Sequence, residues 1–235
     1  MTRPAWLVRP EGLADYDVAN AAMHELAARR LEGRIPDAVV VLEHPPVFTA
    51  GRRAKPEELV WDERAIEARG AIVRKIDRGG AFTFHGPGQL VAYPIVDLGR
   101  APDAGRYLRR LERAVIDAAA QVGATLGRRD DVQTGVWHGD DKVCAIGVRL
   151  LRGRVTLHGL AVNCDTELAW FRGIVACGLP EHGVTSLSEI VGRPVTVDEV
   201  RPLLTCTLER ELDLAFEAAP VAELEAFTGL GVGPT

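Results

Sequence analysis

The stretch from residue 131 to 165 constrains the fold of this chain most. Three strand-like segments follow one another there, at 131–139, 142–151 and 154–165, and only short polar turns separate them. Antiparallel strands can be joined by a tight turn, whereas parallel strands need a crossover of a dozen or more residues. The stretch therefore predicts a three-stranded antiparallel meander, and it disfavours a doubly wound parallel sheet.

Helices and further strands flank the meander. Apolar residues at helical spacing predict helices at 13–33, 56–69, 103–122 and 198–217, with Asp15 and Asp198 as the expected caps of the first and the last. Runs rich in β-branched residues predict strands at 38–44, 71–80 and 90–96, and the prolines, glycine and arginines of 44–53 predict a loop after the first of these strands. Together they indicate one α+β domain over residues 1–217, in which helices pack on a mixed, largely antiparallel sheet. We expect residues 218–235 to form a tail that frays.

Composition limits the class of function. The chain has 235 residues, of which 47% are hydrophobic, so it can bury a sizeable core. A net charge of −5 argues against nucleic-acid binding. The sequence contains neither a membrane-spanning apolar run nor a signal-peptide pattern, so we expect a cytoplasmic protein that does not bind membranes.

The four cysteines differ in the segments that carry them. Cys144 and Cys164 fall in strand patterns and Cys206 in a helix pattern, whereas Cys177 lies in a loop flanked by glycine and proline. A loop can expose a nucleophilic thiol, so Cys177 is the candidate catalytic cysteine, with an inert loop thiol as the alternative. No CxxC pair occurs and no metal site is expected.

Lys142 stands out because lysine is rare in this chain. The sequence has 25 arginines and only three lysines. Lysine can lose its proton when buried, whereas arginine cannot at working pH. Lys142 is therefore a candidate cation for activating Cys177, and a solvated turn residue is the alternative. His85 and His158 are further candidate partners, with structural roles as their alternatives.

The stretch Arg78–Pro94, RGGAFTFHGPGQLVAYP, carries four glycines and two prolines in 17 residues. Glycine is used where the backbone needs a positive φ or a close approach, and proline removes a hydrogen-bond donor. The composition predicts an irregular wall against which a ligand can lie. A tight surface turn between two strands is the alternative.

Several blocks together carry a family resemblance: RGGAFTFHGPGQLVAYP, KVCAIGVR, HGLAVN, FRGIVACGLPEHGVTSL and LEHPPVFTAGR. They lie along residues 13–215, with LEHPPVFTAGR first and the other four following in the order given, and they resemble the octanoyltransferases of lipoate biosynthesis, the lipoyl(octanoyl) transferase family. The resemblance implies a biotin/lipoate protein ligase-like fold. It also implies transfer of an octanoyl group from octanoyl-acyl carrier protein to a lysine of a lipoyl domain, through a cysteine thioester and without a cofactor.

The resemblance also implies partners and site residues. The acceptors would be the lipoyl domains of 2-oxoacid dehydrogenase complexes and the glycine cleavage H protein. The family's acyl-thioester cysteine falls on Cys177, and the lysine that lowers the pKa of that cysteine falls on Lys142. Its substrate wall falls on Arg78, Gly79, Gly80, Ala81, Phe82, Thr83, Phe84, His85, Ala145, Ile146, Gly147, Gly159, Leu160 and Ala161.

Two features of the chain depart from the family's usual pattern. Ala176 stands where proline commonly precedes the cysteine. Phe82 and Phe84 stand where smaller or hydroxylated side chains are common, so we expect them to narrow or lengthen the acyl channel. Arg52, Arg53, Arg149 and Arg152 are expected to form a basic patch for the acidic partners.

Three other functions remain open from the sequence. An ATP-dependent lipoate or biotin ligase would share the fold but needs no cysteine. A cysteine-dependent acyl thioesterase would use water in place of the acceptor lysine. A non-catalytic acyl-binding protein would need neither Cys177 nor Lys142.

Overall fold

The computed structural model describes residues 2–129, 134–178 and 181–220. Its strands are β1 (Arg3–Val8), β2 (Asp37–Leu42), β3 (Val47–Ala50), β4 (Ile72–Lys75), β5 (Phe82–His85), β6 (Gln89–Ile95), β7 (Gly135–His138), β8 (Asp141–Leu151), β9 (Val155–Asn163) and β10 (Leu214–Ala218). Its helices are α1 (Tyr16–Leu31), α2 (Glu63–Glu67), α3 (Ala104–Gln121), α4 (Leu187–Val191) and α5 (Val197–Glu211). Short 3₁₀ turns occupy Pro56–Glu58, Leu168–Gly173 and Ala176–Gly178.

The ten strands form two sheets. Seven make one sheet in the order β10-β1-β2-β6-β9-β8-β7, and three make a smaller sheet in the order β4-β3-β5. In the large sheet only the pairs β10/β1 and β1/β2 are parallel, and the other four pairs are antiparallel. The prediction of an α+β domain on a mixed, largely antiparallel sheet is confirmed, including the meander of β7, β8 and β9.

Alternation along the strands gives the large sheet two buried faces. In β2, Val39 and Val41 face the layer that contains α3 and α5. Val40 and Leu42 face the layer that contains α1. Successive side chains of a strand point to opposite faces, so these runs of apolar residues can fill two cores at once.

The small sheet has a core of its own. Phe48, Phe82 and Phe84 are buried there with Ile174. The ring of Phe84 stacks on that of Trp170 at a centroid distance of 5.2 Å and an interplanar angle of 8°. The segment 168–178 is thus packed onto the small sheet.

Local capping fixes where the helices begin. The Asp15 carboxylate accepts the N–H groups of Asp17 and Val18 and begins α1, as the sequence predicts. Ser186 Oγ accepts the Glu189 N–H and begins α4. A side-chain acceptor at the N-cap satisfies an N–H group that has no partner inside the helix.

The predicted helix 198–217 is wrong over its last six residues, 212–217. Helix α5 ends at Glu211, and after Asp213, which has a φ of 54°, the chain continues as β10. Strand β10 pairs with β1, an N-terminal strand that the sequence pattern did not reveal. The helix is capped by Thr196 rather than by Asp198.

Four other segments differ from their predictions. The predicted strand 71–80 ends at Lys75, and the predicted helix 56–69 consists of a 3₁₀ turn and α2. The expected loop 44–53 contains β3, which pairs with β5. Within the expected C-terminal tail, Ala218 belongs to β10, and residues 221–235 lie outside the described part of the chain.

Candidate active site

A cavity lies between the two sheets, on the face of the large sheet that packs against α1. It encloses about 550 Å³ of empty space, including its open mouth. The lining residues are Tyr16, Ile76, Arg78, Gly79, Gly80, Ala81, Thr83, His85, Val91, Tyr93, Thr134, Lys142, Ala145, Ile146, Gly147, His158, Gly159, Leu160 and Ala161.

Twelve of the fourteen predicted wall residues line this cavity, and Phe82 and Phe84 do not. The pleat of β5 is the reason. Thr83 and His85 face the cavity, whereas Phe82 and Phe84 point to the opposite face and lie in the core of the small sheet. The expectation that the two phenylalanines shape the acyl channel is therefore wrong. Substrate binding by the other residues remains a prediction.

Two glycines of the cavity wall leave room for neighbouring main chain to lie against them. A Cβ atom on Gly159 would lie 2.1 Å from the carbonyl oxygen of Ala92, and one on Gly147 would lie 2.9 Å from that of Gly79. Any side chain at these positions would collide with backbone. The glycines therefore bring the strands and the 78–80 loop close together, and this close packing sets the width of the cavity.

Arg78 fixes the loop that forms one side of the cavity. Its Nη2 group donates to the carbonyl oxygen of Thr49 at 2.8 Å and to the Thr49 hydroxyl at 2.9 Å. Its Nη1 group donates to the carbonyl of Gly79 at 2.9 Å. The guanidinium thus ties the loop to β3.

A chain of side-chain hydrogen bonds leads away from His85, which lines the cavity. Asn163 Nδ2 donates to the Thr185 carbonyl at 3.0 Å, and Gln89 Nε2 donates to Asn163 Oδ1 at 2.9 Å. Gln89 Oε1 must then accept from His85 Nδ1, at 2.8 Å. The direction of each bond follows from the one before it, so His85 carries its proton on Nδ1.

Three buried histidines are held neutral. Burial lowers the pKa of His85 and of His158 to about 3 and that of His44 to about 4. Positive charge from Arg78 acts in the same direction on His85 and His158. His44 lies behind the cavity, where its Nδ1 donates to the Ala14 carbonyl and its Nε2 accepts from the Tyr93 hydroxyl.

His158 reaches the cavity through an unusual backbone conformation. Its φ of 59° is left-handed, a region that histidine, asparagine and aspartate enter more readily than most residues. The ladder between β6 and β9 runs from Gln89 opposite Asn163 to Ala92 opposite Leu160 and ends before Pro94 and His158, where proline has no N–H group to donate. His158 Nε2 donates to the Asp77 carboxylate oxygen Oδ1 at 2.6 Å.

Asp77, His24 and His158 form a cluster with metal-ligand chemistry. Their ligand atoms lie within 4.8 Å of one another. The Arg149 guanidinium pairs with the second oxygen of Asp77, so its positive charge opposes a cation at this place. The cluster instead links the cavity loop to α1, β8 and β9.

Lys142 lies near the start of β8 and its side chain is only 6% exposed. Its N–H donates to the Gly183 carbonyl at 3.0 Å, and its own carbonyl accepts from Thr185 at 3.1 Å. Its Nζ lies 4.6 Å from the centroid of the Trp137 ring, within the range of a cation–π contact. No carboxylate of the described residues lies within ion-pair distance of Nζ.

A second, smaller cavity connects Lys142 to the loop that carries Cys177. It encloses about 250 Å³, and Lys142, Ala161 and Ala176 are among the residues that line it. The main chain of Cys177 lies in the 3₁₀ turn Ala176–Gly178, and its side chain lies outside the described part of the structure. On the other flank, a Cβ atom on Gly178 would lie 3.5 Å from the Cβ of Ala81, which belongs to the cavity wall.

The other thiols have environments that suit structural roles. Burial raises the pKa of Cys164 to about 12, and burial also raises that of Cys144 well above its ordinary value. Both thiols therefore stay protonated at neutral pH. Cys206 is exposed on α5, which packs on the face of the large sheet opposite the cavity.

Comparison with known protein families shows to which of them this chain is related. The family described as lipoyl protein ligase A/B catalytic domain matches residues 15–209. The chain belongs to this family. The ligase A/B catalytic domain thus covers most of the described structure, from the start of α1 to the last turns of α5.

Members of the family with assigned names give a finer comparison. The chain is 48% identical over 202 residues to the octanoyltransferase of Acidothermus cellulolyticus, covering 84% of this chain and 87% of that protein. It is 46% identical over 209 residues to the octanoyltransferase of Mycobacterium tuberculosis, covering 88% of this chain and 86% of that protein. These relatives confirm the resemblance stated from the sequence, and they show that the chain is an acyltransferase.

Solved structures of the ligase A/B type share the fold. Lipoate-protein ligase A bound with ATP superposes with a TM-score of 0.77 at 18% identity, covering 97% of this chain and 92% of that one. The biotin protein ligase of Aquifex aeolicus superposes with a TM-score of 0.51 at 12% identity, covering 90% and 69%. At such low identity these structures show the fold alone, and the predicted biotin/lipoate ligase-like fold is confirmed.

Sequence reasoning missed several residues of the site. Gln89 and Asn163 are polar residues inside the resemblance blocks RGGAFTFHGPGQLVAYP and HGLAVN, and that position was the available signal. Tyr16 and Trp137 gave no signal in the sequence. Tyr16 reaches the cavity, and Trp137 reaches Lys142, only because the fold brings separate elements together. No helix of the described residues is long and apolar enough to cross a membrane.

Proposed function

We propose that this acyltransferase works in lipoate biosynthesis, where it moves an octanoyl group from octanoyl-acyl carrier protein to a lysine of lipoyl domains. Cys177 carries the octanoyl group as a thioester between the two steps. The observation that supports this best is the position of Lys142, which lines both the large cavity and the smaller one that reaches Ala176. A cation and a cavity for an acyl chain thus adjoin the turn that contains Cys177.

In the first step the Cys177 thiolate attacks the thioester carbonyl of octanoyl-acyl carrier protein. The new bond joins Cys177 Sγ to the octanoyl carbonyl carbon, and the carrier's thiolate leaves and takes up a proton. Lys142 as an ammonium stabilises the Cys177 thiolate and supplies the proton. Exchange of one thioester for another is nearly balanced in free energy.

In the second step the amine of the acceptor lysine attacks the Cys177 thioester. An amide bond forms, the Cys177 thiolate leaves, and the proton lost by the attacking amine passes to Lys142. Conversion of a thioester to an amide is downhill, so the transfer needs no ATP. Arginine could hold the charge but could not accept this proton.

The cavity suits an octanoyl chain. Its lining near Lys142 includes Ala145, Ile146, Leu160 and Ala161, which offer apolar surface. Burial of seven methylenes would contribute on the order of 5 kcal/mol, at about 0.8 kcal/mol each. The lipoyl domains of 2-oxoacid dehydrogenase complexes and the glycine cleavage H protein are the proposed acceptors.

The mass of the acyl-enzyme tests the proposal directly. The enzyme is incubated with octanoyl-acyl carrier protein, and intact mass and peptide mapping locate the adduct. We expect one octanoyl group on Cys177, none in Cys177→Ala, and a normal yield in Cys206→Ala, which removes the exposed thiol of α5. An adduct of normal yield in Cys177→Ala contradicts the assignment.

Product analysis separates the remaining alternatives. Release of AMP from ATP during transfer of free octanoate would indicate a ligase that shares this fold. Release of free octanoate at the same rate with and without a lipoyl domain would indicate a thioesterase. The proposed enzyme forms octanoylated lipoyl domain from the carrier-bound donor in the absence of ATP.

A further inference from the structure

The acceptor of the proposed reaction arrives with a charge that the donor lacks. A lysine side chain has an ordinary pKa near 10.4, so at neutral pH it approaches as an ammonium group. An ammonium group is best received by a carboxylate at the mouth of the site. The following inference rests on the proposed function and names the residue that receives this group.

Glu58 is held against the turn that contains Cys177. Its carbonyl oxygen accepts the Val175 N–H at 2.7 Å. Its carboxylate oxygen Oε2 accepts the Lys55 N–H at 3.1 Å, within the 3₁₀ turn Pro56–Glu58. A Cβ atom on Gly178 would lie 2.8 Å from Glu58 Oε1, so this oxygen contacts the residue that follows Cys177.

The same point lies at the edge of the large cavity. The Cβ position of Gly178 that is close to Glu58 is also 3.5 Å from the Cβ of Ala81, a residue of the cavity wall. Glu58 is partly exposed, so its carboxylate can be reached from solvent. It therefore stands where an incoming side chain would pass on its way to Cys177.

The charge of Glu58 is available to a partner. Across residues 2–129, 134–178 and 181–220, no arginine or lysine side chain pairs with this carboxylate. Two residues further on, Val60 is 58% exposed, which is unusual for an aliphatic side chain of this structure. The Glu58 carboxylate, which has no cationic side chain paired with it among the described residues, thus lies near the exposed Val60. This combination fits contact with a protein that presents a lysine at the end of a loop.

We propose that Glu58 binds the ammonium group of the acceptor lysine beside the acylated Cys177. The bound group gives one proton to solvent before its neutral amine attacks the thioester, and the second proton passes to Lys142 as the amide forms. Glu58 therefore serves the second step and not the first. The donor brings no ammonium group to this point, so acylation of Cys177 does not depend on Glu58.

Glu58→Gln tests this with the fold preserved, because the amide oxygen can still accept the Lys55 N–H. Glu57→Gln is the matched control, since Glu57 is exposed in the same turn. We expect the KM for the lipoyl domain to rise about tenfold in Glu58→Gln, which corresponds to loss of one charge-assisted hydrogen bond. The rate and yield of acylation by octanoyl-acyl carrier protein stay unchanged in both variants, and Glu57→Gln keeps the wild-type KM.

The possible failures point to different errors. An unchanged KM for the lipoyl domain in Glu58→Gln overturns the role of Glu58, and so does an equal rise in Glu57→Gln. A loss of acylation in Glu58→Gln indicates that the residue only supports the turn, and this too overturns the role. Absence of an acyl-enzyme in the wild-type protein overturns the proposed function itself.

Discussion

Acid should destabilise this protein in a pH range where its carboxylates are still charged. His44, His85 and His158 are buried and neutral, with pKa values of about 4, 3 and 3 in the folded protein against 6.5 when exposed. Below pH 6.5 these histidines bind protons in the unfolded chain, whereas in the folded chain they stay unprotonated until the pH approaches their lowered pKa values. The free energy of unfolding therefore falls as the pH decreases from 6.5 toward 3.

The size of the loss follows from these values. At pH 5.0 each histidine is 1.5 pH units below its unfolded pKa of 6.5 and still above its folded pKa. At about 1.36 kcal/mol per unit, each contributes about 2 kcal/mol, and the three contribute about 6 kcal/mol together. Asp97, whose pKa is lowered by its hydrogen bond with Arg154, adds to the loss only below its ordinary value of 3.8.

Urea unfolding followed by tryptophan fluorescence measures this at pH 7.5 and 5.0. His158→Asn removes one titrating group and keeps a residue that tolerates the left-handed φ of 59°. We expect the loss between the two pH values to shrink by about 2 kcal/mol in this variant. The reasoning is refuted if the wild-type loss stays below about 2 kcal/mol, or if His158→Asn leaves it unchanged.

Three further predictions concern the reaction. Lys142→Arg keeps a cation against Trp137 but cannot transfer a proton. The rate of octanoyl transfer should therefore fall about 10²- to 10⁴-fold, while the circular dichroism spectrum stays unchanged. Near wild-type turnover would contradict the proton-transfer role. Ala161→Leu places three more carbons where the two cavities meet. The ratio of kcat/KM for octanoyl donors to kcat/KM for butanoyl donors should fall about 50-fold, at about 0.8 kcal/mol per displaced methylene. An unchanged ratio would place the acyl chain elsewhere. Arg52 is exposed, and its N–H donates to the Arg78 carbonyl beside the cavity. Arg52→Glu should therefore raise the KM for acyl carrier protein, and the rise should be largest at low salt. A KM equal to that of the wild type at all salt concentrations would exclude Arg52 from docking.

The parts of the fold that the sequence predicted are those that local rules decide. The meander of β7 to β9 follows from tight turns between strand-like runs, and the start of α1 follows from the Asp15 cap. Strand β10 could not be predicted in this way, because Leu212 to Phe216 continue the apolar spacing of α5. Its strand conformation depends on pairing with β1, where Leu214 lies beside Arg3.

Strand β5 was hidden by the glycines on both sides of it. The stretch 78–94 was expected to be irregular, yet Phe82–His85 pairs with β3, and Phe84 is fully buried. The direction of Phe82 and Phe84 could not be known without this pairing, because the pleat decides which side chains face the cavity.

At the site, the sequence supplied candidate residues but not their surroundings. Lys142 and most of the wall came from the resemblance blocks. The packing of Lys142 on Trp137 depends on an irregularity of register between Val136 and Trp137, which a sequence pattern does not show. The proton position on His85 required the whole hydrogen-bond chain to Thr185.

The close main-chain packing at Gly147 and Gly159 limits how this enzyme could change its acyl selectivity in evolution. Neither position can accept even a methyl group, because a carbonyl oxygen already occupies the space. If this cavity holds the acyl chain as proposed, we expect selection for a longer or shorter chain to act on Ala145, Ile146 and Ala161, whose side chains line the cavity. Variation in substrate length among descendants of this chain should appear at these three positions, while both glycines persist.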